Sequence, residues 1–471
     1  MEEAERSVAP ASGLALAGSF TVAVWVALAW RSHGGGAPLG WMLATMAMAW
    51  AALAWAMRRA ALREAQTILA FGVIFRLVAL GAQPVMEDDH YRFLWDGYRF
   101  AATGDPYAEA PREHFTDATI PVEFRAVLDR INHPDVPTIY GPLTQWVFRL
   151  CYLIAPAQLW PLKLVLLGAE LTILALLWPG LGARSRLLLA WCPLAIFETG
   201  FNAHPDALAI SLLVTAWWLG WRGRFVAAGA VAGLAIAAKI FALPLVPFVL
   251  WRLGRRAWVV AAAVVVALYA PFWLRGRAAD FAGLRAMAAE WEFNSSIYAV
   301  AAALSSPAAA GVMCGLAFGA IWLVLLARWR TASASSSLSS SPGRSLPPGE
   351  WVYGWFLLLS AVANPWYALW LWPFVAARIS ATGLCALAAV SLAYVTGLNL
   401  GDTSPGNFGH PWWLRPAEFG VIGVAAAGDW LKRKSVRGPQ GIEPTKALDT
   451  ERIEAKPEGT EKGGKKSDLR V

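Results

Sequence analysis

Apolar runs long enough to cross a bilayer recur from one end of the chain to the other, separated by short basic or proline-bearing stretches. They fall near residues 13–30, 39–57, 67–83, 162–178, 187–201, 207–221, 258–274, 308–326, 381–398 and 413–431. Such a run satisfies its own backbone in lipid only as a helix, so the pattern predicts an all-α, polytopic integral membrane protein with roughly a dozen crossings. Some segments carry their own breakers. The stretch 225–251 has basic residues at both ends and Pro244 and Pro247 inside it, which predicts a broken hairpin. Asn364-Pro365-Trp366-Tyr367 divides 351–363 from 369–377 in the same way. The run 143–154 is short and contains Arg149, so it reads as re-entrant or interfacial. The first run follows an acidic start and has no cleavage site at its end, which predicts a retained helix and not a signal peptide.

Composition agrees with this pattern: 57% of the 471 residues are hydrophobic and 15% are charged, against about 25% charged in soluble domains. The net charge of +8 does not point to nucleic acid, because the basic residues gather at the ends of apolar runs and in the tail. Arg58 and Arg59 mark a cytoplasmic turn, which puts the loop 84–140 outside, rich in proline and predicted to carry interfacial helices. The same rule places both termini in the cytoplasm. Residues 1–327 then form a transmembrane catalytic region, 328–350 a disordered Ser/Pro-rich cytoplasmic linker, 351–434 a C-terminal transmembrane region, and 435–471 a charged cytoplasmic tail. The four cysteines lie in apolar segments without metal or redox spacing.

Chemistry concentrates where the third run ends, at Glu87-Asp88-Asp89-His90-Tyr91-Arg92. Adjacent carboxylates at a membrane boundary raise one another's proton affinity, which suits Asp89 or Asp88 to general-base work or to a cation better than to capping. If the chain is helical from Asp89, then Asp89, Arg92, Asp96 and Arg99 share one face, and a ladder of ion pairs is the plain alternative there. Further polar groups stand at span ends on the same side: His204 and Asp206 across a proline, Arg275, Asn294 and Arg415. Lys239 sits in the broken hairpin, where a charge is costly. Trp366 and Tyr367 read either as interfacial belt residues or as a sugar-stacking platform.

Several short motifs, in order and on one side, carry a family resemblance. Asp89-His90-Tyr91-Arg92-Phe93 with Trp95-Asp96-Gly97, then Thr138-Ile139-Tyr140-Gly141-Pro142-Leu143, resembles the first extracytoplasmic loop of C-type (GT-C) glycosyltransferases. Asn202-Ala203-His204-Pro205-Asp206-Ala207, Ala238-Lys239 before Pro244, Trp291-Glu292-Phe293-Asn294 and Asn364-Pro365-Trp366-Tyr367 resemble the later signatures. The set is most similar to bacterial polyprenyl-phosphate-mannose-dependent mannosyltransferases of glycosyltransferase family 87.

That resemblance implies a GT-C-like fold and an inverting, mannosyltransferase-like hexosyltransferase working at the extracytoplasmic face of a bacterial inner membrane. Its partners are a polyprenyl-phosphate-linked sugar donor, an extracytoplasmic acceptor and membrane lipids. Asp89 is expected as the base with Asp88 second, and Arg92, Arg275 and Arg415 as groups for the lipid phosphate. Asp96, His204, Asp206, Lys239, Asn294, Trp366 and Tyr367 complete the expected substrate-binding set. No cofactor or metal is expected, although Asp88 and Asp89 could take a divalent cation. A transporter or lipid flippase is the alternative, since such proteins also break helices around polar groups. A non-catalytic assembly subunit is a third reading.

Overall fold

The long apolar runs fold as helices: α1 Ala11–Ser32, α2 Leu39–Arg59, α3 Ala65–Leu80, α7 Trp160–Leu177, α10 Asp206–Trp221, α13 Arg255–Trp273 and α16 Pro307–Ser335. The computed structural model describes residues 11–34, 37–61, 64–275, 281–335, 346–396 and 411–436. Between α3 and α7 lie α4 Asp89–Thr103, α5 Val122–Leu128 and the short α6 Pro142–Ile154. After α7 come α8 Ala183–Trp191 and the single turn α9 Pro193–Ala195. The broken hairpin supplies α11 Phe225–Ala238 and α12 Val246–Leu250, and the following loop α14 Phe281–Glu290 and α15 Ile297–Leu304. The last third holds α17 Gly349–Leu359, α18 Trp372–Ala377, α19 Ala381–Ala389 and α20 Leu414–Val436. Among the described residues there is no strand, and backbone pairing outside helices reduces to one isolated bridge between Phe293 and Val362. The chain divides into two compact units, Met1–Asp429 and Trp430–Val471.

Five of these helices are long and apolar enough to cross a membrane. Their outer faces need lipid as solvent: in α16, Leu316 is 71% exposed and Leu323 61%, an arrangement water would penalise and hydrocarbon does not. Where helices meet, small residues let backbones close in. A Cβ at Gly233 of α11 would stand 2.6 Å from the Ala261 carbonyl oxygen of α13, and Gly229, one turn earlier, is set equally close to Ala257. The chain is therefore an integral membrane protein.

Two segments depart from the sequence reading. Residues 187–201 do not form one helix: the chain breaks after Trp191, where Pro193 cannot donate, and then winds into a π-helical turn, Ile196–Phe201. Helix α16 runs on to Ser335 and α17 begins at Gly349, so both helices extend into the expected linker 328–350. Residues 336–345 of that linker, and the tail from 437 on, lie outside the described residues. The broken hairpin is broken as expected, α11 stopping at Ala238 and a 3-10 turn following at Ile240–Ala242.

Charges inside the membrane body went unread. Arg76 of α3 pairs with Glu170 of α7 at 3.1 Å, and its Nη1 donates to the Gly72 and Ala190 carbonyls at 2.9 and 2.6 Å. Lys163, also on α7, donates to the Ala82 and Ala79 carbonyls at 2.6 and 3.2 Å, where the chain leaves α3 and its carbonyls lose their intrahelical partners. A cation placed there is tolerable because each polar contact replaces one that water would have made.

Candidate active site

Helix α4 begins at the acids, with Asp88 at its N-cap and Asp89 as its first residue. The side chain of Asp88 does not cap. Glu87 does so instead, its Oε1 accepting the backbone N–H groups of Asp88 and Asp89, both at 3.1 Å. That frees the two aspartates for other partners: Asn132 Nδ2 donates to Asp88 Oδ1 at 2.6 Å and to Asp89 Oδ1 at 3.0 Å, and Tyr140 Oη donates to Asp89 Oδ2 at 3.4 Å. Loop 104–140 is held for this by its own small core, with Tyr98 stacked on Phe124 at 4.4 Å beside Trp95, Leu128 and Ile131. At its end Gly141 meets α11 so closely that a Cβ would strike the Ala237 carbonyl.

Burial drives the electrostatics. It pushes the Asp89 carboxyl above the usual carboxylate range, opposed by the Asn132 hydrogen bond and by His133, Lys239 and Arg92. Glu87 is pushed up well beyond its ordinary value by burial first and by Asp89 and Asp88 next. Burial lowers His133, against the pull of Asp89, and lowers His90 to about 3, so His90 is neutral at pH 7. A partly enclosed carboxylate with raised proton affinity is the chemistry of a general base.

Linkage gives this a measurable sign. A group whose folded pKa is raised contributes stability below its unfolded value and loses it as pH rises through the folded one. Glu87 should therefore make the folded protein less stable as pH climbs from 4.5. Glu87→Gln keeps the cap acceptor and should flatten the fall in melting temperature above that pH; a profile parallel to the parent's would contradict this assignment.

Glu87, Asp88 and Asp89 each bring one oxygen within 4.8 Å of the others, a spacing that could hold a metal ion. Asn132, donating to both aspartates, offers a neutral way of holding the same charges together.

A second cluster forms where helices break. Lys239, extended between α11 and its 3-10 turn, donates to both carboxylate oxygens of Asp206 at 2.7 and 2.8 Å. Trp370 Nε1 donates to Asp206 Oδ1 at 2.7 Å, and the ammonium lies 4.8 Å from the Tyr367 ring centre. His204 lies flat on Trp366, centroids 4.1 Å apart and planes 11° from parallel. It is fully enclosed and, among the described residues, neither ring nitrogen has a hydrogen-bond partner, Glu198 Oε2 standing 3.5 Å from Nε2.

Of the residues expected from sequence, Asp88, Asp89, His204, Asp206, Lys239, Trp366 and Tyr367 thus join two linked groups, the charge of Lys239 acting on Asp89. The others are engaged elsewhere. Arg92 pairs with Asp96 at 3.0 Å and donates to the Val136 carbonyl, while Gln145 donates to the other Asp96 oxygen at 2.9 Å. This is the intrahelical pair, fixing the loop to α4 and α6. Arg275 donates to the Gly104 carbonyl at 2.7 Å, at the far end of α4 and about 20 Å along the helix from Asp89. Asn294 donates to Glu418 at 3.1 Å and Arg415 to Glu292 at 3.1 Å. That group reaches the loop through Trp291, whose ring centroid is 4.1 Å from that of His133.

Glu87 was read as part of the acidic stretch but given no role of its own, and Asn132, Glu198 and Tyr394 were not singled out from sequence. For Glu198 a signal existed, an acid inside the apolar run 187–201, which lipid tolerates only for a reason. Asn132 in its loop gave none.

Carboxylates, an ion pair and stacked aromatics thus gather where the helices of a membrane protein end or break. The chain belongs to a mannosyltransferase family: residues 8–255, more than half its length, match the family described as alpha-(1->6)-mannopyranosyltransferase, N-terminal domain. It is thus a glycosyltransferase of the mannosyltransferase type, in line with the resemblance its motifs carry. The match includes Asp89, His204, Asp206 and Lys239 and stops short of Asn294, Trp366, Tyr367 and Arg415. No curated protein matches the chain, and no solved structure does.

Proposed function

We propose that this protein transfers a hexose, mannose by family, from a polyprenyl-phosphate donor to an extracytoplasmic hydroxyl acceptor with inversion, Asp89 serving as base. The observation that carries the reading is the setting of Asp89, held at the start of α4 by Asn132 and Tyr140 with its proton affinity raised by burial. In this mechanism the acceptor hydroxyl gives its proton to Asp89 Oδ2 as its oxygen bonds the anomeric carbon. The bond from that carbon to the donor phosphate breaks, and the phosphate leaves with the electron pair. Lys239 supplies the positive field near the acids, and the enclosed His204 ring backs Trp366, on which it lies flat. No cofactor takes part, and Asn132 does the work a cation would otherwise do.

The loop 84–140 faces outward in this reading, both termini face the cytoplasm, and the membrane is a bacterial inner membrane. The test is transfer of radiolabelled sugar from a short-chain polyprenyl-phosphate mannose in sealed vesicles of known orientation. Expected is transfer to an impermeant acceptor only where the loop side is accessible, unchanged by EDTA. Transfer lost to EDTA and restored by a divalent ion would move the acids from base to metal site, and no transfer by well-folded protein would favour the transporter reading.

A further inference from the structure

The turn that carries the acids is held from outside itself. Val85, fully enclosed, donates its backbone N–H to Asn202 Oδ1 at 2.9 Å, tying the chain between α3 and α4 to the segment ahead of α10. Beside each partner stands a non-glycine residue in the left-handed region, Met86 at φ 60° and Ala203 at φ 61°. A residue with a Cβ stays in that conformation only where its surroundings dictate it.

What fixes Asn202 is Glu198, four residues earlier on the π-helical turn, its side chain wholly enclosed. Glu198 Oε2 accepts from Asn202 Nδ2 at 3.2 Å, and Tyr394 Oη lies 2.9 and 3.0 Å from the two carboxylate oxygens. The Glu198 backbone carbonyl accepts from the His204 N–H at 2.9 Å, and its Oε2 stands 3.5 Å from His204 Nε2. One carboxylate therefore touches the anchor of the acid turn, the ring that lies on Trp366, and Tyr394 of the 3-10 turn Val390–Thr396. Asn202 and Tyr394 both converge on the carboxyl oxygens of Glu198; an amide of the same size would turn a donor toward one of them. Glu198 sits on the π-helical turn Ile196–Phe201, a form of backbone frequent at functional sites.

We infer that Glu198 is a positioning residue for sugar transfer: it clamps Asn202 and thereby sets the placement of Glu87, Asp88 and Asp89 against the His204–Trp366 pair. The inference rests on the reading of Asp89 as base. A misplacement of about 1 Å at a reacting group is enough to cost on the order of a hundredfold in rate.

The test compares Glu198→Ala, Glu198→Gln and Tyr394→Phe in purified, monodisperse protein, by backbone hydrogen exchange and by steady-state transfer. Glu198→Ala is expected to speed exchange across residues 83–91 by about tenfold while α1 and α13 keep parental rates. It should lower kcat by about tenfold or more with donor KM within about twofold. Glu198→Gln, still able to accept one of the two bonds, should fall between alanine and parent in both readouts. Parental exchange at 83–91 in Glu198→Ala would overturn the inference. Should that variant not fold, Tyr394→Phe, which deletes one donor, decides by the same exchange measurement. If Asp89→Asn kills transfer while Glu198→Ala keeps parental kcat, the positioning inference fails alone. If Asp89→Asn retains turnover, the base reading fails, and exchange still reports whether Glu198 holds the turn.

Discussion

Replacing Asp89 by asparagine is expected to lower sugar transfer by about 10² to 10⁴ while the protein inserts, folds and binds donor as before. Asparagine keeps the size of the side chain; its amide oxygen can still accept from Asn132, and the Tyr140 hydroxyl, which meets the other oxygen, can turn to accept from the new NH2, so the start of α4 is little disturbed. What it loses is the capacity to take a proton near neutral pH. Asp88→Asn removes a carboxylate that also accepts from Asn132 and should do less harm. The measurement is single-turnover transfer alongside donor binding to each variant. Turnover near parental in Asp89→Asn, Asp88→Asn and the double variant would sink the base assignment.

The second large effect concerns stability. Lys239→Met should destabilise the protein by about 3–5 kcal/mol, because it leaves a buried carboxylate without its cation. Asp206 is fully enclosed and receives the ammonium through both oxygens, with Trp370 as its other donor. Adding Asp206→Asn to Lys239→Met removes the orphaned charge and should recover a large part of the loss. Denaturation in detergent, read as the shift in midpoint for the single and double variants, checks this. A double variant less stable than Lys239→Met would show that the pair contributes by something other than mutual charge compensation.

Much of the fold was legible because lipid imposes a length and an apolar composition on each spanning helix, so α1, α2, α3, α7, α10 and α13 stand close to where the runs placed them. The π turn after Pro193 was not legible: an apolar run reads the same whether its backbone closes with the usual helical bonds or with a wider ring. The acids at the head of α4 were visible as charge beside a membrane, and their family setting is borne out by the match to residues 8–255. Their partners were another matter. Asn132 and Tyr394 reach the site from 44 positions beyond Asp88 and 196 beyond Glu198, and a polar residue in a loop or in an apolar run says nothing about which distant carboxylate it will meet. Arg92 and Asp96 show the converse: helical spacing placed them on one face, where their own proximity pairs them.

The link between Arg76 and Glu170 bears on how the chain is made. The two residues are 94 positions apart, which a ribosome covers in roughly 5–20 s. For that interval α3 carries a guanidinium whose acid has not been synthesised, in a segment where a mid-helix arginine costs roughly 2.5–3.5 kcal/mol to insert. Helix α3 is thus a poor independent span and a good one once α7 arrives, bringing Glu170 for the arginine and Lys163 for the open carbonyls at its end. Release of α3 into lipid is therefore expected to wait on α7, so that both helices and the loop between them enter as a single insertion event.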